Sequence, residues 1–279
     1  MSTRRRIETI GAVGGLLLLA ALSLPASALA ASPGPGPVGP ESPAPSGVTA
    51  SPAESGAPAQ GFATPEEAVK AYLAGVAAND YGAVLATCAI DQMAAGYDFE
   101  LAVSNYQVIG FAFMWAPATN PFYQQINQGI GEGQIAHALL FLSYSLLVTD
   151  PTISQALQND SLSVPSDAAK AQEFMSEVDP SKLAGLSVVD VRFPKASLEN
   201  NSKLLAGYAT RAKIYSADEW TERVALVTLD GKDYVVGFAL VRYGSDWFVA
   251  YPSSPLYGLP STGIAVPTTQ EQFDTTTSS

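Results

Sequence analysis

Residues 31–60 begin Ala-Ser-Pro-Gly-Pro-Gly-Pro and continue with only two charges, Glu41 and Glu54, and no aromatic residue. A stretch of that composition buries too little apolar surface to offset the entropy of ordering it. A fold must therefore be built from the roughly two hundred residues that follow, which is within the usual size of one domain. The stretch reads as a disordered, partly extended linker over 31–61.

The residues before the linker account for its position. Arg4, Arg5 and Arg6 make a positive start, residues 10–24 are apolar, and Ala28-Leu29-Ala30 is a small-residue exit that sets cleavage before Ala31. Pro25 and Ser27 interrupt the apolar run, whereas an uncleaved membrane anchor, the alternative, needs about 20 apolar residues. The expected organisation is a signal peptide over 1–30, one α+β domain over 62–258 and a flexible tail over 259–279. The domain is then secreted or lies on the extracellular side of the cell envelope, with no stable membrane anchor after cleavage.

The chain carries 14 basic and 26 acidic residues; without Arg4, Arg5, Arg6 and Glu8 the balance is 11 against 25, a net charge of −14. Nucleic acid and anionic headgroups recruit Lys and Arg, so this acidity argues against both as partners. Cys88 is the sole cysteine and forms no intramolecular disulfide, which leaves an ordinary hydrophobic core to hold the fold.

Thr64-Pro65-Glu66-Glu67 has the pattern of a helix start, with Thr64 as N-cap, Pro65 at the first position and Glu67 completing a capping box. Ala68, Val69, Tyr72, Leu73 and Val76 recur at three- and four-residue spacing. Asn79-Asp80 then stops this helix and caps a second one, carrying Tyr81, Val84, Leu85 and Cys88. Residues 99–113, 122–147, 166–178 and 198–215 read as further helices. Strands are expected at 186–193, 223–229, 234–243 and 247–250, with Asp230-Gly231 and Gly244-Ser245 as the hairpin turns.

The run from Thr64 to Tyr81, TPEEAVKAYLAGVAANDY, resembles the N-terminal helical hairpin of the nuclear transport factor 2-like superfamily. That resemblance implies a cone-shaped α+β domain: an N-terminal helical hairpin, then a curved antiparallel sheet of about four strands at the C-terminal end. The helical middle, 99–180, is then an elaboration near the mouth of the cone. Some members of the superfamily are isomerases or dehydratases with a carboxylate in the cavity, and no catalytic motif of theirs is carried over here.

Residues 135–148 are apolar nearly all round but too short to span a bilayer, and they fit a buried helix. The sharper reading is an apolar cavity lined by this helix with Phe111, Phe113, Met114 and Trp115. His137 is the only histidine, and Tyr144, seven residues on, returns to nearly the same helical face; such a pair suits acid–base work, although a lone histidine on an apolar helix is more often a core residue. Asp190 and Arg192, two apart on a strand, share one sheet face and form either a solvent-facing pair or, inside a cone, a buried one. Cys88 reads as a small buried hydrophobe, since no neighbouring base would activate it. Leu259-Pro-Ser-Thr-Gly263 matches a wall-sorting pentapeptide but lacks the apolar span and basic tail that sorting needs, so it reads as chance. No metal or cofactor constellation is found. The expected function is a non-catalytic module that binds a small apolar ligand or an envelope protein. The alternatives are a pocket enzyme of isomerase or dehydratase type and a structural module acting as a dimer.

Overall fold

A computed structural model describes residues 59–110, 114–158, 164–259 and 263–279; the expected signal peptide with Ala28, Ala30 and Ala31, most of the expected linker, and Phe111 and Phe113 lie outside them. The architecture is α+β, with nine α-helices among the described residues and a curved antiparallel sheet toward the C-terminal end. The helices are α1 (Pro65–Ala77), α2 (Tyr81–Ala86), α3 (Ile90–Gly96), α4 (Phe99–Tyr106), α5 (Pro121–Leu147), α6 (Pro151–Gln158), α7 (Ala168–Glu177), α8 (Ser202–Ile214) and α9 (Gln270–Ser278). The strands are β1 (Ser187–Arg192), β2 (Glu219–Leu229), β3 (Lys232–Tyr243), β4 (Asp246–Tyr251) and β5 (Val266–Pro267).

Short polar side chains start most helices where the sequence places them. Thr64 accepts the Glu67 N–H at 3.2 Å, Asp80 that of Ala83 at 2.9 Å, and Asn120 that of Tyr123 at 3.1 Å. Each satisfies a helix-start donor that would otherwise lack a partner. The expected helix over 99–113 ends early. Gln107 adopts left-handed backbone (φ 54°) and donates its N–H to the Val103 carbonyl, which closes α4 at Tyr106.

The strands run β1-β2-β3-β4, all antiparallel, and β5 pairs with the start of β3. Asp230 and Gly231 both have positive φ, 51° and 75°, as a two-residue hairpin turn requires. Register irregularities between Val188 and Asp190 and between Ala239 and Leu240 bend the ladder.

Each face of the sheet carries its own layer. Ala225, Val227, Val236, Phe238, Leu240 and Val249 pack with Val69, Tyr72 and Leu73 of α1 and with Leu142 and Leu146 of α5. On the opposite face Trp220, Ala239, Val241 and Phe248 meet Met93 of α3 and Tyr208 and Ala212 of α8. Cys88 is buried in the first of these cores, at 2 % exposure.

Residues 263–279 are ordered, in contrast to the flexible tail expected there. Phe273 of α9 is fully buried against Val224, Leu226 and Val235, and Thr269 and Gln272 form the reciprocal capping box of that helix. The Pro-, Ser- and Thr-rich composition obscured this because a single aromatic residue anchors the segment.

Candidate functional site

The site is built on α5, whose 27 residues extend about 40 Å. Its N-terminal half is fixed by Asn127, fully buried, whose amide accepts the Ala116 N–H at 2.8 Å and donates to the Ala116 carbonyl at 2.9 Å. The C-terminal half faces in three directions. Ile135, Ala138, Leu142 and Leu146 enter the core, Leu140 is exposed, and His137, Phe141 and Tyr144 face α6 and α7.

The chain turns from α5 into α6 at Thr149-Asp150, and this turn is tied to α7 by polar contacts. Asp150 Oδ1 accepts the N–H groups of Thr152 and Ile153 at 2.8 and 3.0 Å, while its other oxygen takes Lys170 Nζ. Glu177 accepts from Thr149, at 2.6 Å from the hydroxyl and 3.1 Å from the N–H. The Lys170 ammonium holds the Asp150 carboxyl below the usual carboxylate range, and Asp150 in turn raises the Lys170 pKa. For Glu177 burial pushes the pKa up, but the two Thr149 contacts outweigh it and the net shift is downward.

Between the three helices lies a cavity of about 440 Å³. Its walls are Phe141 and Tyr144 of α5, Ile153, Ala156 and Leu157 of α6, and Phe174 of α7; His137, Ser166 and Ala171 are the exposed members of the lining, and Lys170, next to Ala171, is half-buried. Two edge-on ring contacts set the aromatic side chains: His137 to Phe141 at 4.6 Å and Tyr144 to Phe174 at 5.0 Å. Among the described residues, no three His, Cys, Asp or Glu side chains converge as a metal-ligand cluster. No helix among them is long and apolar enough to cross a membrane.

Of the residues singled out from sequence, His137 and Tyr144 line this cavity together. His137 is exposed rather than buried, because it sits at the edge of the cavity and not in the core. Trp115 is elsewhere. It packs against α5 near Gly131 and clusters with Tyr97 at 5.8 Å and Tyr215 at 5.7 Å, and Met114 packs against that same cluster. Met114 and Trp115, expected from sequence to line an apolar cavity with the 135–148 helix, are therefore not among the residues lining this one.

Asp190 and Arg192 share a sheet face, but α9 covers it. Arg192 donates to Asp190 at 2.6 Å and pairs with Asp274 at 2.8 Å, and its guanidinium lies 5.3 Å from the Phe273 ring centre. Both side chains are about one-third exposed, so they act as a clasp on α9. Cys88 is inert in this setting: burial pushes its thiol up to about 12, against a small downward pull from Thr87.

The residues of α6 and α7 were not anticipated as cavity walls. Ile153, Ala156 and Leu157 recur at three- and four-residue spacing after Pro151, as do Lys170, Ala171 and Phe174, and that periodicity is the sequence signal for an apolar face on each helix.

A second feature of α5 is an exposed stripe on its N-terminal two-thirds. Phe122, Ile126, Gly129, Gly133, Ala136 and Leu140 follow one another at alternating spacings of four and three, and all are exposed. A Cβ added at Gly129 or Gly133 would meet nothing within 4 Å.

No protein-family profile matches the chain, and no curated protein matches it. A solved structure, that of a cystatin-like protein from Ruminococcus gnavus ATCC 29149, is similar at 17% identity with a TM-score of 0.47. The match covers 74% of this chain and 44% of that protein, so the chain spans less than half the length of the protein it resembles.

Proposed function

We propose that the protein is a non-catalytic binding module that holds a small apolar ligand between α5, α6 and α7. The observation that carries this reading is the cavity of about 440 Å³ walled by Phe141, Tyr144, Ile153, Leu157 and Phe174. Ligand sites are typically concave, mostly apolar and of about 300–1,000 Å³, with a few polar groups at fixed places. The element order, a capped helical hairpin ahead of four antiparallel strands, supports placing the chain near the nuclear transport factor 2-like superfamily.

Titrating the full chain with the neutral fluorophore Nile red tests the reading. Saturable one-site binding is expected, and Ala156→Trp, which fills the cavity from α6, lowers affinity at least tenfold, about 1.4 kcal/mol. Absence of saturable binding, or an Ala156→Trp variant that folds and binds as well as the native protein, overturns it. The exposed stripe on α5 favours a second reading, a module that meets a protein partner or a second copy. Native mass spectrometry of the same sample, showing a dimer rather than a ligand-bearing monomer, would favour that reading.

The module works outside the cytoplasm in this proposal, released from its signal and set off from the membrane or wall by the linker. The supporting observation is the sequence Arg4-Arg5-Arg6, the apolar run and Ala28-Leu29-Ala30. The protein recovered from culture medium is expected to begin at Ala31, and N-terminal sequencing checks this. An intact Met1 on protein in the cytosol would contradict it.

A further inference from the structure

We infer that the α5–α6–α7 cavity prefers an uncharged amphiphile, of the long-chain alcohol or ester kind, to chains that end in a carboxylate. The inference rests on the reading of the cavity as a ligand site and concerns the charge that its opening tolerates.

An anionic headgroup needs a cation that is free to meet it. Among the described lining residues Lys170 is the one Lys or Arg side chain, and it is already engaged. Its ammonium contacts Asp150 and lies 3.4 Å from Glu173. Asp150 cannot easily give it up. Its side chain is only 13 % exposed and its other oxygen is fixed by the N–H groups of Thr152 and Ile153, so removing Lys170 would leave a partly buried carboxylate without its cation.

The local charge points the same way. Asp150 and Glu173 outnumber Lys170; Glu177, bonded to Thr149, adds a third carboxylate at the base of the same clasp, and a further cation there, Lys182, is taken up by the Ser176 and Glu177 carbonyls at 2.9 and 3.1 Å. A ligand carboxylate brought to this opening meets like charge at short range and, further out, the field of an acidic protein. His137, Tyr144 and Ser166 are the other polar groups of the described lining, and their ring nitrogens and hydroxyls offer uncharged partners that a hydroxyl or ester oxygen can use. The aromatic and aliphatic walls then take the chain. Carboxylate selection would require an unpaired Lys or Arg at the opening; this site has a lysine with two acidic partners.

Competition against bound Nile red at pH 8 tests the inference with 1-dodecanol and dodecanoate. Dodecanol is expected to displace the dye at least tenfold more effectively than dodecanoate. Asp150→Asn combined with Glu173→Gln releases Lys170 while keeping a residue that caps α6, and it should shift the dodecanoate-to-dodecanol affinity ratio at least tenfold toward dodecanoate. Dodecanoate matching dodecanol on the native protein overturns the inference, as does a ratio unmoved in the double variant. If Nile red itself shows no saturable site, the ligand reading fails; if it binds and dodecanoate prevails, only the charge selection fails.

Discussion

Raising the pH past about 10 is expected to unfold this protein steeply, with the loss complete within about two pH units. The cause is a set of acidic protons that the fold keeps and the unfolded chain releases. Burial pushes the Cys88 thiol up to about 12 and raises the hydroxyls of Tyr72 and Tyr208 well above the ordinary phenol value, with the Glu222 carboxylate adding to the shift at Tyr208. All three side chains sit in residues no more than 5 % exposed. A group whose pKa is higher in the folded state contributes its stability fully below the unfolded pKa, near 9 for the thiol and 10 for the phenols, and loses it as pH climbs toward the folded value. Each costs roughly 1.4 kcal/mol per pH unit in that window, about 4 for the three together, against a total stability of about 5–15 kcal/mol. Tyr215 and Tyr251, whose hydroxyls lie 2.9 Å apart, and Tyr243, which donates to the Tyr215 carbonyl at 2.8 Å, are shifted in the same direction by burial and steepen the fall. Circular dichroism and phenolate absorbance followed together from pH 8 to 12 should change in one coincident transition. Tyrosines that ionise one by one while the helical signal persists to pH 12 would refute the account.

The elements legible in the sequence are those whose causes are local. Thr64 and Asp80 mark helix starts because a short side chain beside its own backbone needs nothing distant to cap it. Asp230-Gly231 marks the central hairpin for a similar reason, since the turn demands positive φ from those two residues. What depends on distant partners was harder to read. Residues 135–148 look uniformly apolar because one helix serves both the core and the cavity, and periodicity cannot separate two apolar surroundings. His137 and Tyr144 were found together because seven residues bring a helix back to one face. Trp115 was misplaced beside them because nearness of aromatic residues along the chain does not decide which cluster each one joins. The C-terminal segment was the least legible. Its composition is that of a loop, and its order comes from Phe273 beneath the sheet and from the contact of Gly263 with α5, over a hundred residues away in the chain.

That contact gives the second large effect: Gly263→Ala is expected to destabilise the fold by about 3–5 kcal/mol. Two independent constraints act there. Gly263 has φ +81°, which a side chain disfavours, and a Cβ added to it would lie 2.0 Å from the Ala138 carbonyl oxygen of α5. The obstacle is helix backbone, which cannot rotate aside as a side chain can. Either the segment lifts, breaking the Gly263 N–H bond to Pro252 O at 2.6 Å and the Ala265 N–H bond to Ser145 at 2.9 Å, or α5 moves. Movement of α5 at Ala138 displaces His137 and Phe141, so the substitution should also weaken Nile red binding by more than its effect on stability alone would require. Gly133→Ala is the control: the same helix and the same change, with open space around the new methyl group and a gain of about 0.5–1 kcal/mol from helix propensity. Urea unfolding of the two variants should therefore move in opposite directions, and a Gly263→Ala midpoint equal to that of the native protein would show that this segment does not bear on α5. Ile264 and Ala265, next to Gly263, are buried, so a protease that cleaves extended peptides reaches them only after the segment detaches, and nicking at these two residues should rise in Gly263→Ala and not in Gly133→Ala.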